Sequence, residues 1–235
     1  YKKLETLATH TLALHADPFH LFLSCFVMEL SHTRVLATVM RERTISVRVL
    51  QYIWNTFDID TYACTFFQFI RGISAKKIKR LTDPPPTSPT SSQQQKNEKF
   101  TTHFLTALSS FLRADALPLI ICALVHHCIE IVNANPIVEK EDGDNTVLRW
   151  AVGSLIFLRF LVPAVTSLAS HPSITETEKK AYVLIGRFLM RLSTNTAFPN
   201  ACLLNDIIHG ATPLLERFCD EVAEIGRKAA HLTFA

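Results

Sequence analysis

A chain of 235 residues with 48% apolar and 19% charged side chains can bury a substantial core and is not a disordered polymer. Its formal net charge of +3 is too mild to argue for nucleic acid. Six glycines and scarce strand-type alternation favour helices over sheets.

In chain order, Asp17 is a natural N-cap and Pro18 fits a first helical turn, so residues 17–30 are predicted helical. A basic stretch from Arg34 to Arg43 follows. Thr44 is placed to cap a helix over roughly 45–57, whose Ile45, Val49, Tyr52, Ile53 and Phe57 recur at helical spacing. Residues 61–81 read as one or two further helices, with a second basic cluster at Lys76, Lys77, Lys79 and Arg80. Both clusters suit solvated helix faces or an acidic protein partner. Residues 82–98, rich in Pro, Ser, Thr and Gln, are expected to be a long mobile loop. Phe100, Phe104, Leu105, Leu108, Phe111 and Leu112 then form one apolar stripe. Pro118 opens an apolar segment that ends near Asn135-Pro136, and 137–146 is acidic. Further helices are predicted over 146–161, 175–194, 200–209 and 212–230, with Pro163 ending or kinking the first of these. The expectation is a single all-α domain over 1–235, irregularly packed and without bundle symmetry.

Enzyme constellations are missing from this sequence: it has no P-loop, GxGxxG, GxSxG or HExxH. Cys122, His126, His127 and Cys128 are the best metal candidates, but no second pair sits at zinc-like spacing, so no metal is expected. The six cysteines (25, 64, 122, 128, 202, 219) lie scattered through apolar segments and are read as reduced core thiols of a cytosolic protein. No apolar run reaches bilayer length, because Arg159 and Pro163 interrupt 150–165. A chain opening on Tyr1 without a secretory signal is expected to be part of a larger cytoplasmic protein, peripheral at the inner membrane face through its partner or other domains.

The stretch 157–165 reads FLRFLVPAV, in which Arg159 is the one charge of a long apolar run. A lone arginine there needs a partner. This block resembles the FLR…PA signature of Ras GTPase-activating domains, in the neurofibromin and fungal Ira style. Upstream, residues 39–48 (VMRERTISVR) can be laid on the family's LFRxNSxxxK finger loop. Arg41 then falls at the arginine finger, Thr44 at the helix-capping serine and Arg48 at the lysine. Met40 replaces the family's phenylalanine and Arg43 its asparagine, which leaves Arg43 as a second candidate finger two residues away. Weaker matches follow in order: Asp83-Pro84 before the variable loop, Asn97 opening the next helix, Leu117-Pro118, and Leu204-Asn205-Asp206 for the family's FND. Arg187 stands where many members carry lysine.

What the resemblance implies is an irregular helical domain that supplies Arg41 in trans to a GTP-loaded Ras-family GTPase, with Arg159 bracing the finger loop. Thr44, Arg48, Arg43, Leu158, Pro163, Arg187 and Asn205 would line the GTPase-binding side. The chain would need no cofactor of its own, since GTP and Mg²⁺ belong to the partner. The alternative from the same resemblance is a non-catalytic GTPase-binding scaffold, which the altered Met40 and Arg43 allow.

Overall fold

The computed structural model describes residues 17–40, 44–55, 59–82, 91–135, 146–199 and 203–233. In chain order the helices are α1 (Pro18–Ser31), α2 (Ile45–Trp54), α3 (Ile59–Arg71), α4 (Ala75–Thr82), α5 (Ser91–Phe111), α6 (Leu119–Ala134), α7 (Thr146–Ala151), a π-helix (Val152–Leu161), α8 (Val162–Leu168), α9 (Glu176–Ser193) and α10 (Leu203–Thr233). Short 3-10 turns lie at Leu36–Thr38 and Ala114–Ala116. No strand occurs among the described residues, and the protein is all-α. The chain falls into two compact units, one drawn from 1–58, 114–160 and 219–235, the other from 59–113 and 161–218.

In the first unit, Asp17 caps α1 by accepting the Phe19 N–H at 2.9 Å. The helix buries Phe19, Phe22, Phe26 and Leu30, a stripe at spacings of three and four. That stripe packs on α2 and α6. Phe26 stacks on Phe22 and on Trp150, and Phe19 meets His127 edge-on. Helix α2 buries Val49 and Ile53 as its periodicity predicts, but Ile45 stays 58% exposed. Gly226 of α10 approaches α6 so closely that a Cβ there would lie 2.2 Å from the Cys122 carbonyl oxygen.

The second unit is held by aromatic rings. Phe66 stacks on Phe111 at 4.4 Å between centroids, and Phe104 meets Phe188 edge-on at 5.0 Å. Helix α3 packs on α5 and α9, and α9 packs on α8. A full capping box, with Thr175 and Glu178 exchanging bonds, starts α9.

Four expectations need correction. Residues 91–98 are helical, not loop, because α5 begins at Ser91. Their Gln, Lys and Glu side chains have good intrinsic helix propensity, and they extend upstream the helix that the Phe100 stripe anchors. Asn97 therefore does not open a helix; it lies inside α5 and accepts a bond from Gln93 at 3.3 Å. The segments predicted over 200–209 and 212–230 are not separate: from Leu203 onward, where the described residues resume, they form one helix, with Pro213 inside it. The buried stripe of Leu204, Ile207, Ala211, Leu215 and Phe218 keeps helical spacing across the proline. That burial outweighs a proline cost of about 3 kcal/mol. Pro163, finally, does not end the signature helix. It sits in the first turn of α8, at the junction where the π-helix gives way to α-helix, and the helical run continues through it. Thr146–Leu168 thus runs helical for 23 residues, long and apolar enough by length and composition to cross a membrane, with 56% of its apolar window buried in the protein.

Of the cysteines, the described five are free; Cys122, Cys128 and Cys219 are buried as expected, Cys25 is intermediate and Cys64 is exposed.

Candidate functional site

Thr44 is the N-cap that the sequence predicts. It has extended backbone, begins α2, and its Oγ accepts the Val47 N–H at 3.4 Å. The candidate fingers Arg41 and Arg43, immediately upstream, lie outside the described residues. Both flanks of 41–43 are described, and they converge on a residue that the sequence reading overlooked. Glu29, near the end of α1, accepts the Met40 N–H on Oε1 at 2.7 Å. Its Oε2 accepts the hydroxyls of Thr44, at 2.8 Å, and of Ser46. Thr44 and Ser46 oxygens are also 2.7 Å apart. Two hydroxyl protons serve three oxygen–oxygen contacts, and the charged carboxylate is the stronger acceptor, so both protons turn toward it.

The loop's entry is strained. Met40 has φ of 63°, left-handed backbone, while its side chain is 1% exposed. That conformation costs a non-glycine residue about 1–2 kcal/mol. A hydrogen bond to a charged acceptor contributes about 1.5–3 kcal/mol net, enough to hold it. Burial of Val39 and Met40 on one side, and of Ser46 and Val47 on the other, fixes the chain further.

Arg159 lies on the π-helix, half-buried. Burial pulls its pKa below the usual guanidinium value, while the Glu29 carboxylate pushes it back up. The group stays cationic at neutral pH. Glu29, which bonds Met40, Thr44 and Ser46, is thus also the carboxylate that acts on Arg159. The π-helix is also tied to α2. Trp54 stacks on Phe160 with centroids 3.7 Å apart and planes 4° from parallel, and its indole N–H donates to the Leu155 carbonyl at 3.3 Å. A π-helix this close to a candidate site is the usual setting for such irregularity. Leu158 and Arg48 are half-buried in the same unit.

Beside the loop opens a groove of about 590 Å³. Met28, Val35 and Ile45 line it and keep 65%, 43% and 58% of their surface exposed, with Glu29 and Arg34 among the polar lining residues. These exposed apolar side chains surround a carboxylate and an arginine. The exposure of Ile45 had no signal in the helical periodicity.

Pro163, Arg187 and Asn205 belong to the other unit. Pro163 and Arg187 are exposed. Asn205 is engaged locally: its Oδ1 accepts the Phe198 N–H at 2.7 Å and its Nδ2 donates to the Phe198 carbonyl at 3.3 Å. The histidine pair near Cys122 shares a carboxylate, with His126 Nε2 and His127 Nδ1 at 3.4 and 3.3 Å from Glu130. Burial pushes the Cys122 thiol up to about 12 and raises Cys128 as well, which disfavours the thiolates that a metal would require. No group able to hold a metal ion is found among the described residues. No protein-family model matches this chain, and no curated protein is found similar to it.

Proposed function

We propose that this chain is a GTPase-activating domain for a Ras-type small GTPase, acting by insertion of Arg41 into the partner's active site. One observation carries the reading: the Glu29 carboxylate takes the Met40 N–H and the Thr44 hydroxyl on either side of the candidate finger, and its charge also favours the cationic form of Arg159, from the FLR block. The groove lined by Met28, Val35 and Ile45 adds apolar surface beside them.

The chemistry asks for a guanidinium. As GTP is hydrolysed, negative charge grows on the γ-phosphate oxygens and the β–γ bridge. A planar, always-charged, multidentate donor matches that charge better than an ammonium does. Supplied in trans it is worth about 10³–10⁵ in rate, or roughly 4–7 kcal/mol, a range that belongs to Ras and its activators and is carried over here. The gain depends on preorganisation, which is the task assigned to Arg159. The activity belongs in the cytoplasm, where the GTP-loaded partner sits.

The test is single-turnover GTP hydrolysis by Ras, Rap, Rho and Rab proteins with and without the chain. Acceleration confined to the Ras branch, lost by about 10³-fold in Arg41→Ala, is the expected result. Loss in Arg43→Ala with Arg41→Ala intact moves the finger by two residues. Tight binding to the GTP form with no rise in phosphate release supports the scaffold instead, and selectivity for Rho overturns the assignment.

A further inference from the structure

We infer that Glu29 is the positioning residue of the finger loop, holding Met40 and Thr44, the described residues on either side of it, on one carboxylate. The inference rests on the reading of Arg41 as the finger. Its ground is geometric. Oε1 takes the Met40 N–H at 2.7 Å, and Oε2 takes the Thr44 hydroxyl at 2.8 Å together with that of Ser46. Three donors from three positions around one short loop end on a single side chain. Met40 in left-handed backbone turns its N–H to this carboxylate and would relax without it. Glu29 itself is held from below by α1, whose Phe26 and Leu30 are buried on either side in sequence. A guanidinium on a loose loop still reaches a phosphate but loses the alignment that makes it effective.

The experiment uses the full chain as wild type, Glu29→Ala and Glu29→Gln, each also combined with Arg41→Ala. Two quantities are read: the single-turnover hydrolysis rate at saturating chain, and affinity for the GTPase loaded with a non-hydrolysable GTP analogue. Amide hydrogen exchange at Met40 is followed without any partner. Glu29→Ala should lower the saturating rate by about 30- to 100-fold while affinity changes by less than about three-fold. Glu29→Gln should recover much of the rate, because its carbonyl still accepts from Met40 and its amide can donate to the two hydroxyls. In the Arg41→Ala background Glu29→Ala should cost nothing more. Met40 exchange should quicken by about ten-fold or more in Glu29→Ala. An equal loss in the Arg41→Ala background, or a loss in affinity alone, overturns the positioning role. A wild-type chain that accelerates no GTPase overturns the reading of Arg41. Met40 exchange then decides the anchor by itself, and unchanged protection in Glu29→Ala sinks it. Should Glu29→Ala fail to fold, Thr44→Val removes one donor at constant shape and should give a loss of a few-fold by the same readouts.

Discussion

The tie between α2 and the π-helix can be broken at one ring pair. Trp54 is 3% exposed and Phe160 is 8% exposed, and their rings lie 3.7 Å apart and nearly parallel. Trp54→Phe removes the N–H that bonds the Leu155 carbonyl, which costs about 1 kcal/mol. It also shrinks the stacked area, and such pairs are worth about 0.5–1.5 kcal/mol beyond simple burial. The sum is about 1.5–2.5 kcal/mol. Trp54→Ala and Phe160→Ala should each cost about 3–5 kcal/mol. If the rings truly act on one another, the double Ala variant should cost less than the two singles added, by about 1 kcal/mol. Urea unfolding followed by circular dichroism measures all four. Additivity within about 0.3 kcal/mol would refute the stack as a coupling element. A Trp54→Phe cost under about 0.5 kcal/mol would refute the indole hydrogen bond.

Gly226→Ala should destabilise the protein by about 2 kcal/mol: the new Cβ would lie 2.2 Å from a backbone oxygen that moves only with α6, and overpacking of that kind exceeds the roughly 1 kcal/mol gained in helix propensity. Gly72→Ala is the matched control, since its Cβ would meet nothing nearer than 3.4 Å; its melting temperature should hold or rise, and equal behaviour of the two variants would contradict the close approach. His127 gives a pH dependence of known sign. Burial, with help from His126 and His20, holds its pKa below the ordinary value against the pull of Glu130. The unfolded chain therefore binds the proton first, so stability is full above about pH 6.5 and falls as pH drops below it. Urea midpoints at two pH values should show a shallower slope in His127→Gln than in wild type; identical slopes would count against it.

Where a local signal decides structure, the sequence is a good guide. Asp17 and Thr44 cap the helices they precede, and Thr175 does the same for α9. Side-chain oxygens a fixed distance from orphan N–H groups need no tertiary context. Prolines mislead in the same chain, because their local penalty is set against burial that no short window reveals. Pro213 stays inside α10 since Leu204 through Phe218 keeps one apolar face, and Pro163 is absorbed where the π-helix passes into α8. Residues 91–98 were illegible for the opposite reason: helical turns with no apolar face carry no periodicity to read. The π-helix, likewise, has the composition of any buried helix.

Glu29 escaped notice although the rule that drew attention to Arg159 applies equally to it. Arg159 is the lone charge of its apolar run, and Glu29 is the only acid or base of α1 apart from His20. Each such group is costly without compensation, so each predicts a partner of opposite sign or a set of donors. Read together, two lone charges of opposite sign in two apolar helices predict each other. Proximity of Glu29 to Arg159 is what the structure has, with the Met40, Thr44 and Ser46 donors filling the carboxylate's remaining capacity. The finer arrangement was beyond a one-dimensional reading, since Met40 and Ser46 become donors only once left-handed backbone and a helix cap turn them toward one point. A lone carboxylate in an apolar helix is therefore informative about its partner's sign, and a loop's anchors become visible only after the backbone has chosen its turns.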